Sequence, residues 1–438
     1  EARECWFSDA CEGGDPLDQS KLCSEHFMGP LCAVCAPGYY SGVGFECRAC
    51  PAHSRAVVAC SIVAILIVVV LGALFVVRDL HGAPVLATST SSRWSRVWAR
   101  LRNAPYGKLR IPIVVLQIIS QFAATTGIQY PTVYQQFLNV IGVVGFSVDW
   151  VGALTCAFST NFYDYLLLVT VTPLAIVALL ALSLFAVWYR TCRPAGLVGP
   201  RPSPATAFRE SPWERATHKH ALVFMLFTFL IYPTVSTAVF QTFACDTEFA
   251  DGGSYLYADY SISCKTGLHR AYVAYAAVMI FIYPVGIPVL YAGMLYRQRH
   301  RIRRTTRETD SSTKKTRFLW VSYALERYWW EVVECVRRLC LTGILVFIMP
   351  GALGQSAMAC VFAVASLAAA YYFLPHADSS DAHNYNLGCI VIFCSTFLAV
   401  LIKAETADPY EQSKFVVAVL LICLSTATVV VAVTQTIL

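Results

Sequence analysis

Residues 163–189 read YDYLLLVTVTPLAIVALLALSLFAVWY, an apolar stretch that contains one acidic side chain, Asp164, and one proline, Pro173. About 20 predominantly apolar residues are enough for a helix to cross a bilayer, so this stretch predicts a membrane span. The rest of the chain has the same character, because 57% of its 438 residues are hydrophobic and only 14% are charged. Soluble domains are about 45–50% apolar and about 25% charged. The composition therefore excludes a cytosolic enzyme, a disordered protein and a nucleic-acid binder, and it makes the lipid bilayer the main partner.

Nine stretches have the length and composition of a membrane-spanning helix. They are Ala56–Val77, Ile111–Ile128, Tyr163–Tyr189, Ala221–Phe243, Ala271–Tyr296, Val332–Met349, Ser356–Phe373, Leu387–Ile402 and Phe415–Leu438. The predicted fold is an all-α polytopic membrane protein, with a helical domain over residues 53–438 and an ectodomain over residues 1–52. Residues 137–158 form a further apolar stretch that is either a tenth span or a re-entrant or interfacial segment; the loop charges favour the second interpretation.

Lysine and arginine residues set the predicted orientation, because basic loops stay on the cytoplasmic side. The loops after the first, third and fifth spans are rich in these cations, whereas residues 129–162 contain none and residues 242–270 contain only Lys265 and Arg270. We therefore expect the N-terminus outside and the C-terminus inside. The chain begins with Glu1 and its last span runs to Leu438, so we expect a signal peptide to have been removed and a cytoplasmic tail to follow.

The predicted ectodomain is rich in cysteine. Its seven cysteines are Cys5, Cys11, Cys23, Cys32, Cys35, Cys47 and Cys50. The last four follow the spacing C-x2-C-x11-C-x2-C, which fits a zinc ribbon or a disulfide framework. The outside location favours disulfides, and the odd count leaves one cysteine with a lost upstream partner, a free thiol or a partner elsewhere. Cys245 and Cys264 flank the loop after the fourth span and are predicted to form a disulfide. Cys156 has no evident partner.

Four charged residues open the sixth predicted span. They are Glu331, Glu334, Arg337 and Arg338. Ionisable residues are costly at membrane depth and are functional candidates by default. One interpretation is a gating or coupling element built on a charge network. The other, which the sequence favours, is an interfacial anchor, in which Trp329 and Trp330 lie at headgroup level and the arginines reach out to water.

Three further groups are candidates. Gln117, Gln121 and Thr125 form a polar stripe on the second span, which either lines a wet path or joins helices through hydrogen bonds. Pro284, Gly286 and Pro288 predict a hinge within the fifth span, since each proline leaves a backbone carbonyl without its helical partner. An outer vestibule that attracts cations is predicted at Asp149, Asp164, Asp246, Glu248, Asp251 and Asp259; solvated helix ends are the alternative for Asp149 and Asp164.

Motifs for common enzymatic chemistry are missing from the sequence. It has no Walker loop, kinase signature, His-Glu-x-x-His motif or nucleophile elbow, and its nine histidines form no cluster with ligand spacing. We therefore expect neither an enzyme nor a cofactor or metal site.

Two sets of motifs resemble known families. The run CAVCAPGYY at residues 32–40, followed by GFECRACP at residues 44–51, resembles the ephrin-receptor-like or EGF-like cysteine repeat. Three longer motifs are DGGSYL with ADYSI at residues 251–262, YPVGIPVLY at residues 283–291, and WWEVVE with RRL at residues 329–339. Together they resemble the multi-pass proteins of algae and other protists that are described as transient-receptor-potential-like, over residues 23–403.

The second resemblance implies a calcium-permeable or non-selective cation channel with a mechanosensory role, in the plasma membrane or that of a cilium or flagellum. A homo- or hetero-oligomer is expected. The alternative is a non-conducting anchor or adhesion receptor that binds an extracellular filament, matrix or protein partner through residues 1–52. A lipid or solute transporter is a third hypothesis, which is supported by the broken helices.

Overall fold

Helices dominate the part of the chain that the structure describes. The computed structural model describes residues 10–12, 22–41, 47–50, 108–128, 130–142, 156, 161–192, 212–247, 249, 252–304, 311–348, 352–404 and 411–437. Within them lie α1 (Arg110–Thr126), α2 (Thr132–Gly142), α3 (Phe162–Cys192), α4 (Pro212–Gln241), α5 (Gly267–Ile282), α6 (Gly286–Arg304), α7 (Ser311–Lys314), α8 (Arg317–Trp320), α9 (Trp330–Leu341), α10 (Leu353–Phe373), α11 (Ser379–Lys403) and α12 (Glu411–Ile437).

Six helical segments of the described chain are long and apolar enough to cross a membrane. They are Phe162–Tyr189, Trp213–Gln241, Gly267–Arg304, Leu353–Phe373, Ser379–Lys403 and Val416–Gln435. These segments coincide with the third, fourth, fifth, seventh, eighth and ninth predicted spans. The first predicted span lies outside the described residues, and the second contains α1, an apolar helix of 17 residues. A multi-pass protein is thus supported, while the count of nine spans and the orientation stay predictions.

The sixth predicted span differs from the expectation of one long helix. It consists of α9, with 12 residues, and a short 3-10 helix, Ile344–Phe347. At 1.5 Å per residue, α9 is about 18 Å long, which is less than the hydrocarbon core of about 30 Å. The break falls at Gly343, where an added Cβ would lie 2.7 Å from the Phe240 ring, so close packing against α4 fixes this position.

Residues 137–158 are only partly described. α2 ends at Gly142, and between there and Asn161 the structure describes Cys156 alone. The choice between a tenth span and a re-entrant or interfacial segment therefore stays open.

Helix α4 is central to the bundle. In its most apolar window 67% of the residues are buried, against 17% in α3, which turns most of its side chains outward. One hydrophobic cluster joins α4 to α3, α5 and α6, and a second joins it to α1, α2, α10, α11 and α12. Because α4 contributes to both clusters, it connects the two halves of the bundle.

Disulfides organise the N-terminal segment and the loop between α4 and α5. The bonds are Cys23–Cys32, Cys35–Cys47, Cys50–Cys156 and Cys245–Cys264, and Cys11 is disulfide-bonded as well. Cys5 lies outside the described residues. The disulfide framework is thus confirmed, and Cys156, for which the sequence indicated no partner, pairs with Cys50. A cysteine of the N-terminal segment therefore has its partner elsewhere, which is one of the three explanations left open for the odd count.

Short strands support both regions. The N-terminal segment contains β1 (Phe27–Met28), β2 (Val34–Cys35), β3 (Tyr39–Ser41) and β4 (Cys47–Ala49), and the loop after α4 contains β5 (Cys245–Asp246), β6 (Tyr255–Leu256) and β7 (Asp259–Ser263). The pairs β1–β2 and β3–β4 are antiparallel, and β5, β6 and β7 form one antiparallel sheet in that order. Since β2 packs against β7, the N-terminal segment rests on this sheet.

Candidate functional site

The four charged residues of α9 lie inside the helical bundle. The exposed fractions are 0% for Glu331, 4% for Glu334, 8% for Arg337 and 1% for Arg338. The interfacial-anchor interpretation is therefore wrong, because arginines that reach out to headgroups or water would be exposed. Trp330 is 1% exposed and packs against Phe373 of α10, with ring centroids 5.6 Å apart.

The first half of the charge network is a carboxylate bound by a guanidinium and a phenol. Nε of Arg337 lies 3.1 Å from both oxygens of Glu334, and its Nη2 lies 2.8 Å from Oε2. Tyr385 of α11 donates a hydrogen bond to Oε1. The Arg337 guanidinium also lies 5.1 Å from the centroid of the Tyr385 ring. The bidentate, charge-assisted pair lies within α9, and the hydrogen bond from Tyr385 joins it to α11.

The second half is centred on Glu331. Its carboxylate forms ion pairs with Arg110 of α1 and, at 3.4 Å, with Nη2 of Arg338. Tyr323 donates a hydrogen bond of 2.9 Å to Oε2. Glu331 therefore joins α9 to the start of α1 and to the segment that follows α8.

Backbone carbonyls and aromatic faces complete the environment of the two arginines that bind Glu331. Nη1 of Arg110 donates to the Phe318 carbonyl at 3.0 Å, and Nη1 of Arg338 donates to the Phe229 carbonyl at 3.2 Å. The Phe229 ring centroid lies 4.0 Å from the Arg338 guanidinium and 4.8 Å from that of Arg110. Cation–π contacts of this kind gain strength where water is excluded.

The network carries unequal numbers of positive and negative charges. It contains three guanidinium groups, which stay protonated in proteins, and two carboxylates. His376 lies beside the network in the segment between α10 and α11, and burial lowers the pKa of its imidazole to about 4, so it is neutral near pH 7. The network therefore has a net charge of +1 at that pH.

A cavity of about 20 Å³ lies within the network. Its lining includes Arg110, Glu334, Arg337, Arg338, His376 and Tyr385. A volume of this size has room for one particle as large as a water molecule.

The polar stripe of α1 faces α4. Nε2 of Gln117 donates to the Leu230 carbonyl at 3.0 Å, and Nε2 of Gln121 donates to Oγ1 of Thr234 at 3.2 Å. These bonds fit the helix-joining interpretation of the stripe. The hydroxyl oxygen of Thr125 is buried.

The predicted hinge lies between the end of α5 and the start of α6. Pro284 has no N–H to donate to the Ile280 carbonyl, which instead accepts a bond of 3.0 Å from Val285 N. Pro288 likewise leaves the Pro284 carbonyl free, and the hydroxyl of Tyr232 on α4 donates to it at 3.3 Å. The helix is thus interrupted with its freed carbonyls satisfied, while movement about Gly286 stays a prediction.

The proposed acidic vestibule is not assembled by the described residues. Asp246 is 1% exposed and accepts a hydrogen bond of 3.0 Å from Tyr260, so its carboxylate is buried against the loop sheet. Asp259 accepts hydrogen bonds from the backbone of Phe162 and Ser261. Asp164 is exposed at the start of α3 and accepts from Asn161 N, as expected for a solvated helix end. Asp149, Glu248 and Asp251 lie outside the described residues.

One group of residues in the described chain has the spacing of metal ligands. Cys245, Cys264 and His269 offer ligand atoms within 4.8 Å of one another. The two sulfurs are joined in a disulfide, so they are not available as thiolates, the form that binds metals. His269 instead lies against Tyr163, whose hydroxyl is 3.0 Å from Nδ1.

The fold and the site define a multi-pass membrane protein with a disulfide-linked N-terminal segment. No family model, no curated protein and no solved structure matches the chain. The resemblance to transient-receptor-potential-like and EGF-like proteins therefore stays a prediction.

Sequence reasoning missed four members of the site. They are Arg110, Tyr323, His376 and Tyr385. Arg110 counted only as a loop cation in the orientation rule, and the others lie in segments that look like loops or helix starts. The one local signal for Arg110 is its position directly before the apolar run of α1.

Proposed function

We propose that this chain is a cation channel or a channel-like subunit of the transient-receptor-potential-like type, with the buried charge network as its gating or coupling element. The observation that carries the proposal is that both carboxylates of the short helix α9 form buried ion pairs with arginines, inside a bundle of candidate membrane spans. Buried charges are expensive in a membrane protein and mark functional elements by default.

The network suits a switch better than a cation path. Its net charge of +1 repels cations, so ions would pass elsewhere, among the spans or between subunits. Each carboxylate ties α9 to another element, Glu334 to α11 and Glu331 to α1. Moving α9 would separate these partners, and packed interfaces of this kind switch between discrete arrangements instead of deforming gradually.

A mechanical route from the N-terminal segment to the bundle supports a mechanosensory role. The Cys50–Cys156 disulfide attaches the segment covalently to the chain just before α3. The segment also rests on β7, where Asp259 accepts a hydrogen bond from the first residue of α3. Force on residues 1–52 would therefore reach the starts of α3 and α5 without passing through the bilayer.

Purified full-length protein in liposomes tests the proposal. We expect calcium and sodium flux that increases with membrane tension, and a shift of the tension threshold in Glu334→Gln. Arg299→Gln is the matched control, because Arg299 is partly exposed on α6 and lies outside the network. Absence of flux from monodisperse wild-type protein at any tension, with calcium or sodium, would contradict the proposal.

An anchor or adhesion receptor is the second candidate. It is favoured by the way the N-terminal segment is held, since one disulfide and a strand contact fix its orientation on the bundle. In that case intact protein in nanodiscs would bind an extracellular filament or matrix protein, removal of residues 1–49 would abolish binding, and no ion flux would be found.

A further inference from the structure

The excess positive charge of the buried network calls for a counter-ion. We propose that the cavity beside α1, α9 and α11 binds a halide ion the size of chloride. The observation behind this is the coincidence of three guanidinium groups, two carboxylates and a cavity of about 20 Å³ in one place. An uncompensated charge in the interior is costly, so a monovalent anion that makes the total zero stabilises the fold.

Arg338 supplies a donor that points to the ligand. Its two terminal nitrogens bind the Phe229 carbonyl and the Glu331 carboxylate. Its Nε is buried and has no hydrogen-bond partner in the described protein, although the residue is 1% exposed and lines the cavity. Buried N–H groups of this kind are almost always satisfied, and a halide accepts bonds from several N–H groups at once.

Other side chains around the cavity also suit an anion. The guanidinium groups of Arg110 and Arg337 line it, together with the imidazole of His376 and the phenol of Tyr385. Both ring nitrogens of His376 are shielded from solvent. The single carboxylate in the lining, Glu334, is already neutralised by Arg337.

Charge separates a halide from other ligands. A monovalent anion matches the excess of one positive charge, whereas sulfate or divalent phosphate would reverse the net charge of the buried site. Among the described acidic side chains near the network, Asp378 does not supply the missing charge, because it pairs with Lys108 at 3.6 Å and is half exposed. Neither Asp378 nor Asp381 belongs to the lining. A neutral water molecule fills the same space but leaves the net charge at +1.

A halide titration of the purified protein in detergent tests the site without reference to ion conduction. Sodium gluconate is replaced by sodium chloride at constant ionic strength, and the melting temperature is recorded. Ligands that bind only the folded state raise it in a saturable way. We expect saturation with chloride and bromide, a weaker effect of the larger iodide, and no saturable effect of sulfate.

Two variants and one control sharpen the test. Arg338→Gln removes the free donor and the excess charge and should abolish the chloride-dependent shift. Glu331→Gln raises the net charge to +2 and should lower the half-saturating chloride concentration, by about tenfold if the change is worth 1.4 kcal/mol. Arg299→Gln, outside the cavity, should titrate like the wild type.

The outcomes that overturn the proposal are distinct. Equal melting temperatures of the wild type in chloride and gluconate would show that the cavity holds only water. An equal response to sulfate would show general screening. If Arg338→Gln does not fold, the wild-type titration and Glu331→Gln still decide the matter. Because the readout is thermal, a failure here leaves the channel proposal standing, and the reverse is also true.

Discussion

Arg337 holds Glu334 with two nitrogens: Nε lies 3.1 Å from each carboxylate oxygen, and Nη2 lies 2.8 Å from Oε2. Both side chains are at least nine-tenths buried. A pair three residues apart on one helix is a local feature, but here Tyr385 of α11 supplies a further donor to the same carboxylate. The full set of partners of this carboxylate therefore depends on the correct packing of two helices.

Neutralising Glu334 alone should destabilise the protein more than neutralising both members of this pair. Glu334→Gln leaves Arg337 without a partner and raises the network charge to +2, so we expect a loss of about 3–5 kcal/mol. Arg337→Gln should cost less, because the network charge falls to zero. The double variant should be more stable than Glu334→Gln alone. Unfolding of the full-length protein in detergent measures the differences, and a double variant with the summed loss of the single ones would contradict the expected coupling.

Gly286 is predicted to be irreplaceable at the start of α6. A Cβ at this position would lie 2.6 Å from the Phe281 carbonyl oxygen, a backbone atom that cannot turn away. We expect Gly286→Ala to lower the stability by about 1–3 kcal/mol, as overpacking does. Gly293→Ala in the same helix is the matched control, since an added Cβ meets no atom within 4 Å, and it should be neutral or gain up to about 1 kcal/mol. Equal melting temperatures for the two variants would contradict this account.

The membrane spans could be predicted from the sequence because their signal is local. A run of apolar residues such as 163–189 has the required length whatever it packs against, and α3 follows that run closely. The sixth predicted span is longer than α9, because the signal that ends this helix is not local. Its break at Gly343 depends on the approach of Phe240 from α4, and no local pattern reports that contact.

The charge network shows the same limit at the candidate site. The pairing of Glu334 with Arg337 follows from helical spacing and could be anticipated. The bond between Arg110 and Glu331 joins residues far apart in the chain, and a single sequence gives no measure of such proximity. Cys50 and Cys156, which are 106 residues apart, escaped prediction for this reason as well.

The Cys50–Cys156 bond should control how firmly the N-terminal segment is attached. We expect Cys156→Ser to leave the helical bundle folded and to speed proteolytic release of residues 1–50, because the covalent link to the start of α3 is lost. Peptide mapping without reductant should show the 50–156 linkage in the wild type. Cys423→Ser is the control, since Cys423 is a free cysteine of α12. Unchanged protection of the segment in Cys156→Ser would show that the contact between β2 and β7 holds it alone.

His376 should make the protein less stable in mild acid. Burial lowers the pKa of its imidazole from 6.5 to about 4, so between these pH values the unfolded chain binds more protons than the folded one. Stability is therefore complete above about pH 6.5 and falls as the pH decreases towards 4, by at most about 1.4 kcal/mol per pH unit. The charged and titratable groups around the ring are Arg110, Tyr323, Glu334, Arg337 and Tyr385. Comparison of His376→Gln with wild type separates the effect of the imidazole from that of these groups, because the variant should lose this part of the pH dependence. His383→Gln is the control: His383 lies at an exposed position of α11, so this variant should retain the pH dependence. Parallel pH profiles for wild type and His376→Gln would show that protonation of the ring is not coupled to folding.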